Sequence, residues 1–391
     1  MTVQSLRIAL FSGNYNYVQD GANQALNSLM ESALASGASV RVYSPTTDRP
    51  AFPPIGDLVS VPSWQMPGGR GEYRLAKGLP ASVRADLAAF QPNIVHVSAP
   101  DLLGHRALSW GRQQGVPCLA SLHTRFETYP RYYGIGFTEP LIVKLQKRFY
   151  NRADQVMVPS PGMARLLMQW GVTTPIGIWS RGIDHARFNP QQRDNAWRRA
   201  LGIPDDAVAI GFLGRLVLEK GLGIFAEVIT ELKRRGVAHR VLVIGEGPAR
   251  AWFASQVPEA IFTGFQGGDD LSRAVAGMDI FFMPSVTETF GNVTTEAMAA
   301  GVPVVAADAT GAVDLVEHGV TGFLVPPQDV TAYADAIQRL IENPALRASA
   351  GAASHARVQG YRWDRVNAMM IESYEDLLAR HRAGALSSSR S

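Results

Sequence analysis

Two short stretches of this 391-residue chain hold the residues best suited to chemistry. Glu288-Thr289-Phe290-Gly291-Asn292-Val293-Thr294-Thr295-Glu296 sets two carboxylates eight positions apart. Two turns of regular helix span about 7.2 residues, so a helix here would carry both acids on one face. Gly291 stands where such a helix could open. Its first turn would aim backbone N–H groups and the positive end of the dipole at phosphate or sugar oxygens. The second stretch, Gly214-Arg215-Leu216-Val217-Leu218-Glu219-Lys220-Gly221, follows the apolar run 208–213. It sets a guanidinium and an ammonium at the end of an expected strand, where fixed cations stabilise a diphosphate gaining charge as it departs.

Three weaker signals accompany these. His123, in Ser121-Leu122-His123-Thr124-Arg125, closes another apolar run; an imidazole there can donate to a hydroxyl or carry a proton, or be structural. The loop 13–21 ends in Gln19-Asp20-Gly21-Ala22-Asn23, and Gly21 either lets the backbone approach a diphosphate or simply starts a helix near Ala22. Gly-x-Gly-x-x-Gly is absent from that loop, which argues against a dinucleotide-dependent dehydrogenase. Ile261-Phe262-Thr263-Gly264-Phe265, with Leu271 beyond it, reads as a strand and turn.

The elements that must position these residues are short apolar runs alternating with helical patterns. Expected strands in the first half are 6–11, 40–43, 94–97, 118–122 and 155–158. Those in the second are 208–213, 240–244, 260–263, 280–283, 304–306 and 322–325. Buried strands separated by crossover-length spacers make an α/β chain of two doubly wound parallel sheets. The pattern restarts after Trp179-Ser180-Arg181-Gly182-Ile183-Asp184. This divides the chain into 1–182, joined by a returning helix and tail at 364–391, and 183–363. Ligands of such sheets bind outside the carboxyl ends of the strands, so the two Rossmann-like domains are expected to face each other across a cleft.

With Glu288 and Glu296 separated by seven residues and the flanking Phe290-Gly291-Asn292-Val293, the sequence resembles the retaining GT-B glycosyltransferases of family 4. The resemblance runs from about Leu6 to Leu378. It implies that Glu288 contacts hydroxyls of a donor sugar and Glu296 the ribose, while the backbone of Phe290, Gly291, Asn292 and Val293 lines the sugar and phosphate site. By the same resemblance Arg215 and Lys220 bind the diphosphate, and Gly264, Phe265 and Leu271 border the nucleobase. His123 then sits against the donor sugar. The Trp179–Asp184 turn is similar to that of the branch that glycosylates membrane lipids, including sulfoquinovosyl-diacylglycerol synthases and glycolipid mannosyltransferases. No Asp-x-Asp occurs, so the acids that hold a divalent cation in the other large glycosyltransferase architecture are missing. The expectation is catalysis without metal or other cofactor, the cations and helix dipole supplying the charge.

Composition narrows the partners. Residues 1–185 carry 17 Lys/Arg against 11 Asp/Glu and the remainder 20 against 23, within an overall charge of +3. A basic first half suits an anionic membrane surface, or is a solvated face. The basic residues are scattered and no nucleic-acid motif accompanies them, so nucleic acid is not an expected partner. Two stretches could meet lipid: Pro62 to Arg70, read as a turn-rich loop carrying Trp64 and Met66, and Arg131 to Phe137 with a helix from about Glu139 bearing Lys144, Lys147, Arg148 and Arg152. That helix could equally pack its stripe on the core. The lone Cys118 and the absence of a signal-like N-terminus or an 18-residue apolar run point to a cytoplasmic protein, peripheral at the membrane if it touches one. A hexosyl or uronosyl group would pass from a UDP- or GDP-sugar to a lipid hydroxyl such as that of diacylglycerol or ceramide. The alternatives are a soluble transferase acting on a glycan or small acceptor, and a nucleotide-sugar-binding or epimerase-like GT-B protein that transfers nothing to an acceptor.

Overall fold

The computed structural model describes residues 5–17, 20–65, 74–132 and 134–384. Gln19, Met66 to Arg70, Tyr133 and the 387–391 tail, all noted above, lie outside the described residues. Strands β1–β9 are Arg7–Phe11, Ser39–Ser44, Asp57–Ser60, Ser63–Gln65, Arg74–Ala76, Ile94–Val97, Cys118–Ser121, Gln155–Val158 and Ile176–Ile178. Strands β10–β15 are Ala209–Leu213, Arg240–Ile244, Ile261–Gly264, Ile280–Met283, Val304–Ala307 and Gly322–Val325. Helices α1–α8 are Gly21–Ala35, Ala81–Phe90, Leu102–Gln114, Tyr129–Tyr132, Glu139–Tyr150, Pro161–Gln169, Asn195–Ala200 and Leu222–Arg234. Helices α9–α15 are Arg250–Gln256, Gly268–Ala276, Asn292–Ala299, Ala312–Leu315, Val330–Glu342, Pro344–Arg357 and Trp363–Arg382.

Two compact units result. The first comprises Met1–Glu127, Thr138–Gly182 and Trp363–Ser391; the second comprises Thr128–Phe137 and Ile183–Arg362. The excursion Thr128–Phe137 falls inside the stretch 1–182 read as one domain. It belongs instead to the second unit, where α4 packs on the turn Leu218–Lys220.

In the first unit seven strands run in the order β3-β2-β1-β6-β7-β8-β9, every pair parallel. The strands Ile94–Val97 and Cys118–Ser121 are buried at every position, as expected of a sheet covered on both faces. One face packs Val83, Leu87, Leu103, Leu108, Phe149 and Leu167 from α2, α3, α5 and α6. The other packs α1 with α15, through Leu26, Leu29, Met370 and Leu377. Asn367 fastens those two helices, its Nδ2 donating to Ser28 Oγ at 2.9 Å and Ser32 Oγ at 3.0 Å. Helix α1 starts at Gly21, capped by Asp20, whose carboxylate accepts from Asn23 N–H at 2.8 Å.

The second unit holds six parallel strands ordered β12-β11-β10-β13-β14-β15. Its core centres on Phe212, Phe225, Phe253 and Phe282, with Phe225 and Phe282 stacked at 4.9 Å. Both sheets therefore reverse strand order, at β1/β6 and at β10/β13, and the carboxyl ends of those four strands are where a doubly wound sheet opens a ligand site. Trp64, expected in a loop, lies in β4, which pairs antiparallel with β5. No described helix is long and apolar enough to cross a membrane.

Candidate active site

At the β10/β13 switch point the loop after each strand carries one half of a charged pair. After β10 the chain turns through Gly214, exposed Arg215 and a 3-10 turn at Leu218–Lys220 before entering α8. After β13 it runs from Pro284 to Gly291 and enters α11. Lys220 Nζ donates to Glu288 Oε1 at 2.5 Å. The main chain fastens the same loops: the Glu219 carbonyl accepts from Ser285 Oγ at 3.3 Å and from Thr287 Oγ1 at 3.2 Å. Glycine is demanded behind Glu288, because Gly311 has φ +87 and a Cβ there would lie 2.8 Å from Glu288 Cβ and 2.9 Å from its carbonyl oxygen.

The expectation of two glutamates on one helical face is corrected. Gly291, with φ +108, caps α11, so the helix begins at Asn292 and Glu288 precedes it in the loop. The eight-residue spacing is bridged by an extended turn and one helical turn, not by two turns of helix. The opening of the helix after Gly291 does occur, which leaves the first amides of α11 without intrahelical acceptors. Phe290 is buried, edge-on to Tyr361 at 5.5 Å.

Glu296 is the chemical opposite of Glu288. Its carboxylate accepts no hydrogen bond and joins no ion pair among the described residues. Burial raises its carboxyl to about 7, and Arg187 offsets this only partly. Arg187 is committed elsewhere, its Nη2 donating to the Gly268 carbonyl at 2.7 Å. At the neighbouring strand end, Gly264 adopts φ +73 and its carbonyl accepts from Gly245 N–H at 2.8 Å. Phe265 follows with 66% of its surface exposed, while Leu271 on α10 packs against the core. An exposed ring beside backbone polar groups can stack on a planar heterocycle.

His123, in the first unit, ends a buried hydrogen-bonded relay that the sequence did not reveal. Arg181 Nη2 meets His123 Nδ1 at 3.0 Å, Ser121 Oγ meets His123 Nε2 at 2.8 Å, and His96 Nε2 meets Ser121 Oγ at 2.7 Å. Tyr374 Oη meets His96 Nδ1 at 2.6 Å. A guanidinium can only donate, so it fixes every proton along the line. Nδ1 of His123 accepts, Nε2–H donates to Ser121, the Ser121 hydroxyl donates to His96 Nε2, and His96 Nδ1–H donates to Tyr374. Burial, then the Arg181 charge, then His96 hold the His123 imidazole well below its ordinary pKa. The ring is therefore neutral with both nitrogens engaged, which does not fit the expectation that it carries a proton. Arg181 is itself 4% exposed, its charge over the Trp179 ring at 4.9 Å, and burial lowers it to about 9.

Asp101 was also missed. It follows β6 at the first unit's switch point, caps α3 by accepting from Gly104 N–H at 2.7 Å, and is raised to about 6 by burial. An apolar recess of about 290 Å³ adjoins it, lined by Ala99, Pro100, Phe126, Ile142 and Leu145. Gly21 forms the first turn of α1, and Asp20, not the glycine, supplies its polar cap.

The sequence pattern described as "Glycosyl transferases group 1" matches residues 207–343, and "Glycosyltransferase Family 4" matches 19–187. A GDP-mannose-dependent alpha-mannosyltransferase of Mycobacterium tuberculosis is 31% identical over 383 residues, covering 96% of this chain and 98% of that protein. The chain belongs to the family 4 glycosyltransferases. The sulfoquinovosyl transferase SQD2 of Arabidopsis thaliana is 34% identical to this glycosyltransferase over 74% of the chain and 58% of its own length. The sucrose-phosphate synthase of Thermosynechococcus elongatus superposes with a TM-score of 0.78 at 23% identity, covering 96% of this chain and 99% of that one. An Anabaena HepE structure in complex with UDP gives 0.74 at 19% identity, covering 95% and 100%. The fold is GT-B.

Two measurements check the site's electrostatics. ¹⁵N NMR of histidine-labelled protein at neutral pH should show His123 as the Nε2–H tautomer and His96 as the Nδ1–H tautomer; an imidazolium at His123 would contradict the relay. A carboxyl raised in the folded state favours folding fully below its unfolded value near 4.5, and that contribution is lost as pH rises through about 7. Glu296→Gln should therefore gain thermal stability over wild type at pH 8 and lose that gain near pH 4.5.

Proposed function

We propose that this glycosyltransferase moves a hexosyl or uronosyl group from a UDP- or GDP-sugar to a hydroxyl of a membrane lipid, with retention and without a metal ion. The observation that carries the reading is the Lys220–Glu288 pair at the β10/β13 switch point, beside the N-terminus of α11. A diphosphate there meets the ammonium of Lys220, the guanidinium of Arg215 and the amides of Asn292 and Val293. The doubly charged group competes for Lys220 against a single carboxylate, and Glu288 is released to accept from sugar hydroxyls. Glu296 accepts from the ribose hydroxyls, and the exposed Phe265 with Gly264 and Leu271 borders the base. The C1–O bond to the diphosphate breaks as the acceptor oxygen bonds to C1 on the same face, and the acceptor's proton passes to the departing phosphate oxygen.

Three features support a metal-free, lipid-directed version. Cations and helix amides already furnish positive charge for the leaving group. The recess beside Asp101 offers apolar walls next to a carboxyl, which suits an amphiphile bearing a hydroxyl. Helix α5 buries Gln146, Phe149 and Tyr150 while Leu141, Lys144, Leu145 and Arg148 share its exposed face. The core and the solvent side are thus served by different stripes, and the outward one combines apolar with basic residues, as an anionic interface requires. The relatives' names support the sugar-donor part of the reading: one is a sulfoquinovosyl transferase and another is GDP-mannose-dependent.

The deciding assay incubates the protein with UDP-glucose, UDP-glucuronate, UDP-galactose or GDP-mannose and mixed diacylglycerol and ceramide vesicles, and identifies new glycolipids by mass. Transfer only to soluble sugars would replace the lipid acceptor by a glycan, and donor turnover without any glycoside would remove the transfer step. Lys220→Ala should lower kcat by about 10²–10³, the effect of losing one charge-stabilising donor. Excess chelator should leave the rate unchanged; a strict Mg²⁺ requirement would sink the metal-free mechanism.

A further inference from the structure

The first unit has a second cavity, a polar one, that uses none of the residues above. It measures about 430 Å³ and lies between α2, α3 and the segment following β5. Lys77, Arg84 and Arg106 line it with Ser109, Trp110 and Gln113, and among the described residues no acidic one does. Among the described residues none of these three cations is in an ion pair. Arg84 spends one N–H on the Leu79 carbonyl at 3.1 Å, and Lys77 lies over the Trp64 ring at 4.7 Å.

The surroundings add positive charge. Arg152 Nη2 donates to Ser109 Oγ at 2.6 Å and its Nη1 meets His105 Nδ1 at 3.1 Å, both neutral partners. Its pKa is lowered by burial and by the charges of Arg112 and Arg148. Like charges lining one cavity repel one another, and a compact dianion relieves that repulsion while taking charge-assisted hydrogen bonds from the guanidinium forks. Serine and glutamine side chains supply neutral polar contacts. Trp110, nearly buried, forms an apolar wall, and Trp64, 59% exposed, stands at the rim beside Lys77.

We propose that this cavity binds a phosphate group, as a monoester or diphosphate, separately from the sugar donor and whether the phosphate belongs to a lipid headgroup or to a soluble molecule. The geometry is independent of the donor-site reading, because every lining residue belongs to the first unit.

The test uses the full chain with excess UDP and GDP present to occupy the donor site. One arm titrates glycerol 3-phosphate and follows tryptophan fluorescence and heat. The other sediments the protein with phosphatidylcholine vesicles containing or lacking phosphatidic acid. Binding in the first arm alone identifies a soluble phosphate and in the second alone a headgroup; either supports the site. The variant Arg84→Gln/Arg106→Gln should weaken that binding by about tenfold or more, the worth of lost charge-assisted contacts, while circular dichroism and donor turnover stay unchanged. Absence of binding in both arms, or equal binding by variant and wild type, overturns the proposal. A wild type that binds phosphate here but transfers no sugar would overturn the transfer reading and leave this one standing.

Discussion

Lys220 and Glu288 stand 68 residues apart in sequence, and their contact depends on two loops being tied by something other than the charges themselves. That tie is the Glu219 carbonyl, which receives both the Ser285 and Thr287 hydroxyls. Two side chains on free loops would lose most of such an attraction to side-chain entropy and solvent screening. Held by the main chain, the two charges stay paired. On the proposed reading, a phosphate displaces the carboxylate from the ammonium as the stronger acceptor. The two acids of the motif consequently differ in state, Glu288 paired with a cation and Glu296 raised to about 7 by burial that Arg187 only partly offsets. Contrasting environments of this kind separate the roles of chemically identical side chains.

The relay in the first unit applies the same logic to protons. One obligate donor, Arg181, orders four further groups, and the last of them, Tyr374, comes from α15. The orientation of His123 is thereby tied to a helix at the far end of the chain. Buried networks of this type rigidify when every member is satisfied, and here each ring nitrogen has a partner of the right sense.

Much of this architecture is written locally. Buried parallel strands are short apolar runs, which is why 94–97, 155–158, 240–244, 280–283 and 322–325 coincide with β6, β8, β11, β13 and β15. The strands that escaped notice are the ones lacking that signature: Asp57–Ser60 and Ile176–Ile178 lie at sheet edges and are only partly buried, and β4 and β5 are three-residue strands with exposed positions. Arg215, Lys220 and Glu288 stood out as charged residues just after expected strands, and they lie in the loops after β10 and β13, while Glu296 lies on α11. The misplacement of Glu288 onto a helix has a plain cause: eight residues fit two helical turns as well as a turn plus a cap, and only the positive φ of Gly291 decides between them. His96, Ser121 and Tyr374 carry no local signature at all. Tyr374 is 278 residues from its partner, and a lone tyrosine on an amphipathic helix reads as packing.

The return of α15 to α1 has a bearing on how the protein is made. The apolar side of α1, with Leu26, Leu29 and Met30, is completed by residues such as Met370 and Leu377 that a ribosome delivers more than 300 residues later. At about 5–20 residues per second, the nascent N-terminal sheet waits tens of seconds for its covering helix. The long run Ile183–Arg362 holds most of the second unit and can collapse in the meantime. Vectorial synthesis thus leaves the older sheet as the unfinished one, its apolar face uncovered until α15 emerges.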